Sequence, residues 1–205
     1  TSLNPTSFNC SDLGNNTVTL TVTDNNGNSD NCTATVTVSD NQNPTISCPA
    51  NQTVNSSSSQ CGANVTYTTP TASDNCSSGL SVTRTAGPAS GSLFSVGTTT
   101  VTHVATDGSG NTASCSFTVT VNDNVNPTIS CPSNISANTA SGACTATVSY
   151  SSPSANDNCP GVTTSLASGP SSGSAFPIGV TTVSYTATDA SSNTASCSFT
   201  VTVSD

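Results

Sequence analysis

Cationic side chains are almost absent from this chain. Its 205 residues include a single Arg, Arg84, with no Lys, no Met, no Trp and one His. There is no Glu either, so all ten acidic residues are Asp and the formal net charge is -9. Charged residues make up 5% of the chain, against about 25% in an average soluble protein. Each shortage excludes something. Without Lys or Arg to neutralise phosphates, nucleic-acid binding is excluded, as is attraction to an anionic membrane surface. Acid–base and Schiff-base chemistry draws on His, Lys and Glu, so the chain does not read as an enzyme. No apolar run approaches the ~20 residues that span a bilayer, so membrane insertion is not expected. No secretory leader is evident, and Thr1 is expected to open a mature chain or an excerpt of a longer one.

What is abundant is Ser and Thr, 77 residues together, and Cys, of which there are ten. Ten Cys in so polar a chain predict disulfides and an extracellular or cell-surface location. Zinc would need a C-x2-C or Cys/His cluster, and none is present. The cysteines also expose an internal repeat. Cys48, Cys61 and Cys76 recur 83 residues later as Cys131, Cys144 and Cys159, and Cys32, Cys115 and Cys197 share one position. NPTISCP stands at 43–49 and 126–132, and NTASCSFTVTV at 111–121 and 193–203. The expected layout is a partial, C-terminal half-module at 1–40 and full modules at 41–122 and 123–205. Modules of ~82 residues bury too little surface to be secure without staples.

Thr17–Thr23, Thr33–Val38 and Ser116–Val121 alternate Thr or Ser with Val, Leu, Ala or Phe. That period of two predicts half-buried antiparallel strands with Thr facing water. Asp24–Asn28, Ser77–Gly79 and Asp107–Asn111 are turn chemistry. The fold expected is all-β: tandem immunoglobulin-like β-sandwich modules in an elongated, disulfide-stapled rod.

The text N-P-x-I-x-C-P, a second Cys, S-D-N-C or N-D-N-C, then T-D-x-S-x-N-T-A-S-C-S-F-T-V-T-V resembles the hyalin-repeat (HYR) domain over both full modules. The resemblance implies an immunoglobulin-like fold, an extracellular location and a role in adhesion or matrix structure. The segment from Pro5 to Asp40 resembles the C-terminal half of related repeats in large secreted bacterial surface proteins, which suggests a bacterial source. For the full modules the expected pairing is Cys48–Cys61, Cys76–Cys115, Cys131–Cys144 and Cys159–Cys197, one of three arrangements open to each set of four. Cys10 and Cys32 either bond each other, the favoured reading, or pair outside the chain.

Aligned on the shared cysteines, Asp24, Asp107 and Asp189 coincide, as do Asp40, Asp123 and Asp205, and Asp74 with Asp157. Turn and cap chemistry accounts for them, since Asp hydrogen-bonds its own backbone. The sharper reading is structural calcium, a hard cation that takes carboxylate and carbonyl oxygens. Asn122-Asp123-Asn124-Val125-Asn126-Pro127 resembles the N-D-N-x-P linker of cadherin repeats, which implies calcium at the joints, although the Glu ligands of that family have no counterpart here. The candidate metal residues are Asp40, Asn41, Asp74, Asp107, Asp123, Asn124, Asp157 and Asp189.

His103, the sole general-base candidate, aligns with Leu20 and Tyr185 and reads as a packing residue. Tyr67 and Tyr150, and Phe94 and Phe176, repeat and read as core. Among the N-x-S/T sequons, Asn15, Asn51, Asn55, Asn64 and Asn134 are candidate glycosylation sites, with no repeat expected between modules. The function expected is a non-enzymatic structural one: a segment of a cell-surface stalk, or a subunit of an extracellular filament that self-associates. The half-module would bare a sheet edge and core that strand exchange between chains completes. The alternative is an adhesin module that binds a glycan or protein receptor.

Overall fold

The computed structural model describes residues 1–76 and 78–205. Among these the chain is all-β, joined by turns and one 3-10 turn at Cys10–Asp12. Ser77, the first residue of the expected Ser77–Gly79 turn, lies outside the described residues. The strands group into two compact units. One holds Thr1–Asn51, Thr66–Gly91 and Thr100–Thr118; the other holds Gln52–Val65, Ser92–Thr99 and Val119–Asp205.

The second unit contains a complete β-sandwich. One sheet runs Ile135–Asn138, Thr194–Ser204, Gly179–Thr188, Thr163–Ser168, with its first pair parallel and the others antiparallel. Two short antiparallel ladders, Thr128–Ser130 with Ser154–Asn156 and Thr145–Val148 with Ser174–Pro177, supply the remaining strands. The period of two in the sequence sets the core. Phe199, Val201 and Val203 point inward and are buried, while Thr200 and Thr202 between them are half-exposed. Val183 of the same sheet joins Ala146, Val148 and Phe176 in one cluster, with Tyr150 and Tyr185 packed at its edge. Each fully buried Val or Phe contributes about 1.5–3 kcal/mol of transfer free energy. The Tyr150 ring meets Phe199 edge-on at 4.9 Å, and its hydroxyl donates to the Pro170 carbonyl at 2.7 Å.

In the first unit, Tyr67 repeats that arrangement. It stands edge-on to Phe117 at 5.0 Å and donates to the Pro88 carbonyl at 2.8 Å. The N-terminal strands Ser2–Asn4, Gly14–Thr23 and Ser29–Val38 form a three-stranded sheet. Its apolar face is largely bare: Val18 is buried, but Leu20, Val22 and Val36 are 38%, 49% and 36% exposed. The residues that match Leu20 and Val22, His103 and Ala105, are buried. Among the described residues no strand covers this face.

The expected disulfide pairing is overturned. The bonds are Cys10–Cys76, Cys48–Cys115, Cys61–Cys159 and Cys131–Cys197, and Cys32 and Cys144 are free and exposed. A module therefore pairs its first Cys with its fourth, where adjacent pairs along the chain were expected. Cys48 follows the strand Thr45–Ser47, which pairs with Thr71–Ser73, whereas Cys115 lies in the long strand Thr112–Asn122 of another sheet. A sandwich folds such sequence-distant strands face to face. The Cα–Cα distances of 5.8 and 5.7 Å for Cys48–Cys115 and Cys131–Cys197 fall in the usual range. Cys61 instead bonds Cys159 of the following repeat, 98 residues on. Cys10 bonds Cys76, not Cys32.

Candidate functional site

Three aspartate turns recur with the same wiring. Asp107 Oδ1 accepts from the Ser109 and Asn111 backbone N–H at 2.9 and 2.8 Å, and Oδ2 accepts from Asn111 Nδ2 at 2.8 Å. Asp189 does the same with Ser191 and Asn193, and Asp24 with Asn26 and Asn28. Burial works against the charged form of Asp107 and Asp189. The Asn111 and Asn193 side chains and the backbone donors outweigh it, and both carboxyls sit below the ordinary carboxylate value. At exposed Asp24 the Asn28 side-chain amide leads the same downward shift. These three residues thus share one hydrogen-bonded turn geometry.

The turns also brace a second set of aspartates. Asn111 Nδ2 donates to the Asp40 carbonyl, and Asn193 Nδ2 to the Asp123 carbonyl, each at 3.0 Å. Asp74 and Asp157 each open a D-N-C loop and accept from the N–H of Cys76 and Cys159 at 2.9 Å. In the first unit Asp40, Asp74 and Asp107 bring one carboxylate oxygen each within 4.8 Å of one another. In the second, a carboxylate oxygen each of Asp123 and Asp157 lies within the same distance of the other and of Cys159 Sγ. That sulfur is bonded to Cys61 and offers no thiolate. Asp189 stands outside this second group. Asn41 and Asn124 are exposed, and the Asn124 amide donates to Asn55 Oδ1 at 3.0 Å.

The second group has a further property. Asp123 is 6% exposed; its Oδ1 accepts from Ser56 Oγ at 3.0 Å and from the Val125 N–H at 3.2 Å. Its Oδ2, together with Asp157 Oδ1 and Asn158 Oδ1, is buried with no hydrogen-bond partner. Asp40 Oδ2 is in the same state in the first group. Buried polar atoms are normally satisfied, and a bare carboxylate oxygen is costly. Two carboxylates about 5 Å apart repel by roughly 3 kcal/mol at an effective dielectric constant near 20. The one Arg is engaged elsewhere: Arg84 donates to the Gly87 carbonyl.

His103 is buried, stacked on Phe117 at 6.4 Å and edge-on to Tyr67 at 6.1 Å. Burial first, and then the charge of Arg84, push its pKa down. It is a packing residue, in the place where Tyr185 packs beside Tyr150. All five candidate glycosylation residues, Asn15, Asn51, Asn55, Asn64 and Asn134, are exposed. One sequon does repeat, contrary to expectation. Asn51 and Asn134 are equivalent, and each Oδ1 accepts from a strand N–H, of Thr118 at 2.8 Å and of Thr200 at 2.9 Å.

The repeat so described matches the HYR domain family model twice, at residues 39–121 and 122–203. The chain belongs to the HYR domain family. It is 42% identical over 194 residues to hyalin of Strongylocentrotus purpuratus, covering 91% of this chain and 16% of that protein. To hyalin of Lytechinus variegatus it is 38% identical over 146 residues, covering 69% and 27%. It is also 38% identical over 136 residues to the sushi, von Willebrand factor type A, EGF and pentraxin domain-containing protein 1 of Rattus norvegicus, covering 66% and 4%. The chain therefore spans well under a third of the length of each of these relatives. They are animal proteins, so the bacterial source suggested by the N-terminal segment finds no support. Among solved structures it is similar to mouse cadherin-23 EC22-24, with TM-score 0.39, 18% identity and coverage of 93% and 74%. It is likewise similar to Drosophila N-cadherin EC1-4, with TM-score 0.40, 14% identity and coverage of 94% and 58%. The HYR modules place the chain outside the cell or at its surface.

Proposed function

We propose that this chain is a non-enzymatic segment of an extracellular structural or adhesive protein, with HYR modules at 41–122 and 123–205 and a half-module at 1–40. In this reading the modules are coupled in tandem and calcium stiffens their joints. The observation that carries it is the joint at Asp123, where three buried oxygens, Asp123 Oδ2, Asp157 Oδ1 and Asn158 Oδ1, lack partners. Calcium binds oxygens at 2.3–2.6 Å, so two ligands on opposite sides of one ion stand about 4.8 Å apart. One carboxylate oxygen of Asp123 and one of Asp157 lie within 4.8 Å of each other, close enough to share one ion. Asp40, Asp74 and Asp107 would hold a second ion. Asn41 and Asn124 are left out, and Asp189 braces the joint through Asn193. The ion supplies charge neutralisation, which holds the D-N-C loop against the end of the preceding module.

Thermal melting during a calcium titration tests this reading. The expected result is a rise in Tm that Asp123→Asn together with Asp157→Asn greatly reduces. An equal rise in both proteins, or no rise in either, would overturn it.

A bare apolar face on the N-terminal sheet supports the filament form, in which a neighbouring chain completes the half-module by strand exchange. Analytical ultracentrifugation across a concentration series is the check, with concentration-dependent association expected. N-glycans at the exposed sequons, Asn51 and Asn134 first, are read by intact mass against 20.1 kDa.

A further inference from the structure

Cys61 and Asn158 form one half of a lock whose other copy stands open at Cys144. In the closed copy the Ser56 N–H donates to the Asn122 carbonyl at 2.7 Å, and Ser56 Oγ donates to Asp123 Oδ1 at 3.0 Å. Onto this platform comes the D-N-C loop of the next repeat. Asn158 Nδ2 lies within hydrogen-bond distance of the Ser57 carbonyl at 3.2 Å, the Gln60 carbonyl at 3.3 Å, and Ser56 Oγ and Asp123 Oδ1 at 3.4 Å. Cys159, the next residue, bonds Cys61. A further D-N-C loop behaves alike, since Cys76 bonds Cys10 of the preceding segment.

The same platform is built again one repeat later. The Thr139 N–H donates to the Ser204 carbonyl at 2.9 Å, and Thr139 Oγ1 donates to Asp205 Oδ1 at 3.0 Å. The Ala143 N–H donates to the Ala140 carbonyl at 2.9 Å, as Gln60 does to Ser57. Ala140, Ala143 and Cys144 stand where Ser57, Gln60 and Cys61 stand. Cys61 is half-buried beneath its partner, whereas Cys144 is a free, exposed thiol. The repeat therefore supplies both the socket and, in its closed copy, the identity of what fills it.

We propose that Thr139, Ala140, Ala143, Cys144 and Asp205 form a docking site for the Asp-Asn-Cys loop of a further HYR module joined after Asp205, sealed by a disulfide between Cys144 and the cysteine of that loop. Continuity of the chain selects this occupant over a separate molecule, because Asp123 is both the residue that joins the two modules and part of the closed platform, and Asp205 matches it. The bond forms by thiol–disulfide exchange with a low-molecular-weight disulfide. One protein thiolate attacks that disulfide and releases one small thiol. The second protein thiolate attacks the mixed disulfide and releases the other, so one protein S–S bond replaces the small one.

The test extends the full chain past Asp205 by a further copy of residues 124–205, refolds it in a glutathione redox buffer, and counts alkylated thiols by mass before reduction. If the socket works, two thiols are blocked, those of Cys32 and of the appended copy of Cys144. Four blocked thiols overturn the proposal. The same extended chain carrying Cys144→Ser distinguishes the remaining case. Three blocked thiols are expected, because the appended loop cysteine has lost its partner. One blocked thiol, meaning that the appended module pairs its own cysteines, overturns it. So do reduction-sensitive dimers through Cys144 that persist in the extended chain.

Discussion

Asn193 holds Asp123 by its backbone: the side-chain amide donates at 3.0 Å to the Asp123 carbonyl and at 2.8 Å to Asp189 Oδ2. A turn between two strands of one module thereby grips the residue that joins it to the module before. Asn111 repeats the grip on Asp40. Among the described residues the Asn28 amide serves Asp24 alone.

Replacing these asparagines should separate the turn from the joint. Asn193→Ala removes a donor from a part-buried carbonyl and a buried carboxylate, and leaving such acceptors unpaired is costly. Asn28→Ala acts at an exposed turn. The expected result in urea unfolding is a clear fall in the midpoint for Asn193→Ala and a much smaller one for Asn28→Ala. Equal falls would show that the grip on Asp123 contributes nothing.

Acid should weaken the fold through Asp24, Asp107 and Asp189. Each has a folded pKa below its ordinary value of 3.8. The stability they contribute is therefore present above that value and is lost as pH falls through the lower, folded value. Denaturant unfolding at pH 6 and at pH 3 or below should show lower stability in acid. Equal stability at both would contradict the hydrogen-bonded turns.

His103 sets a second pH window. Its folded pKa is depressed from 6.5 by burial and by Arg84, so its stabilisation is present above about 6.5 and declines as pH falls from there towards the folded pKa. His103→Tyr copies Tyr185 of the other module and has no imidazole to titrate. Between pH 7 and pH 5 the parent chain should lose stability and the variant should hold it. Parallel pH profiles would count against a buried neutral imidazole.

Phe176 is fully buried in the sandwich core. Phe176→Ala should cost about 3–5 kcal/mol, the usual range for emptying a buried aromatic site, read from the denaturant midpoint and slope. Gly169→Ala should also destabilise. Its φ is +89°, and an added Cβ would sit 2.7 Å from the Thr182 carbonyl oxygen. Gly27, at φ +85° with open space around it, should tolerate Ala better.

Several features were legible in the residues because they depend on neighbours close in the chain. Strict alternation in Ser116–Val121 places Phe117, Val119 and Val121 on one face whatever they pack against. The turn at Asp107 is closed by residues two and four positions on. The candidate joint residues were half legible. Recurrence singled out Asp40, Asp74, Asp123 and Asp157, but Asn158 and its unpartnered Oδ1 emerge only when the D-N-C loop is seen lying on Ser56 and Gln60. Asn41 and Asn124 stand in the joint text of the sequence, and in the structure both are exposed.

The cysteines divide the two sources of information most sharply. Their number and their 83-residue recurrence pointed, from sequence alone, to an extracellular, stapled, repeating chain. Which sulfur meets which was a matter of strand stacking. Cys10–Cys76, Cys48–Cys115 and Cys131–Cys197 share separations of 66, 67 and 66 residues, a regularity present in the sequence but without meaning until the strands are stacked. The expected pairing joined Cys48 with Cys61. The tertiary fold lays the beginning of a module over its end and presents Cys61 to the module that follows, because a sandwich core closes only when its first and last strands lie face to face.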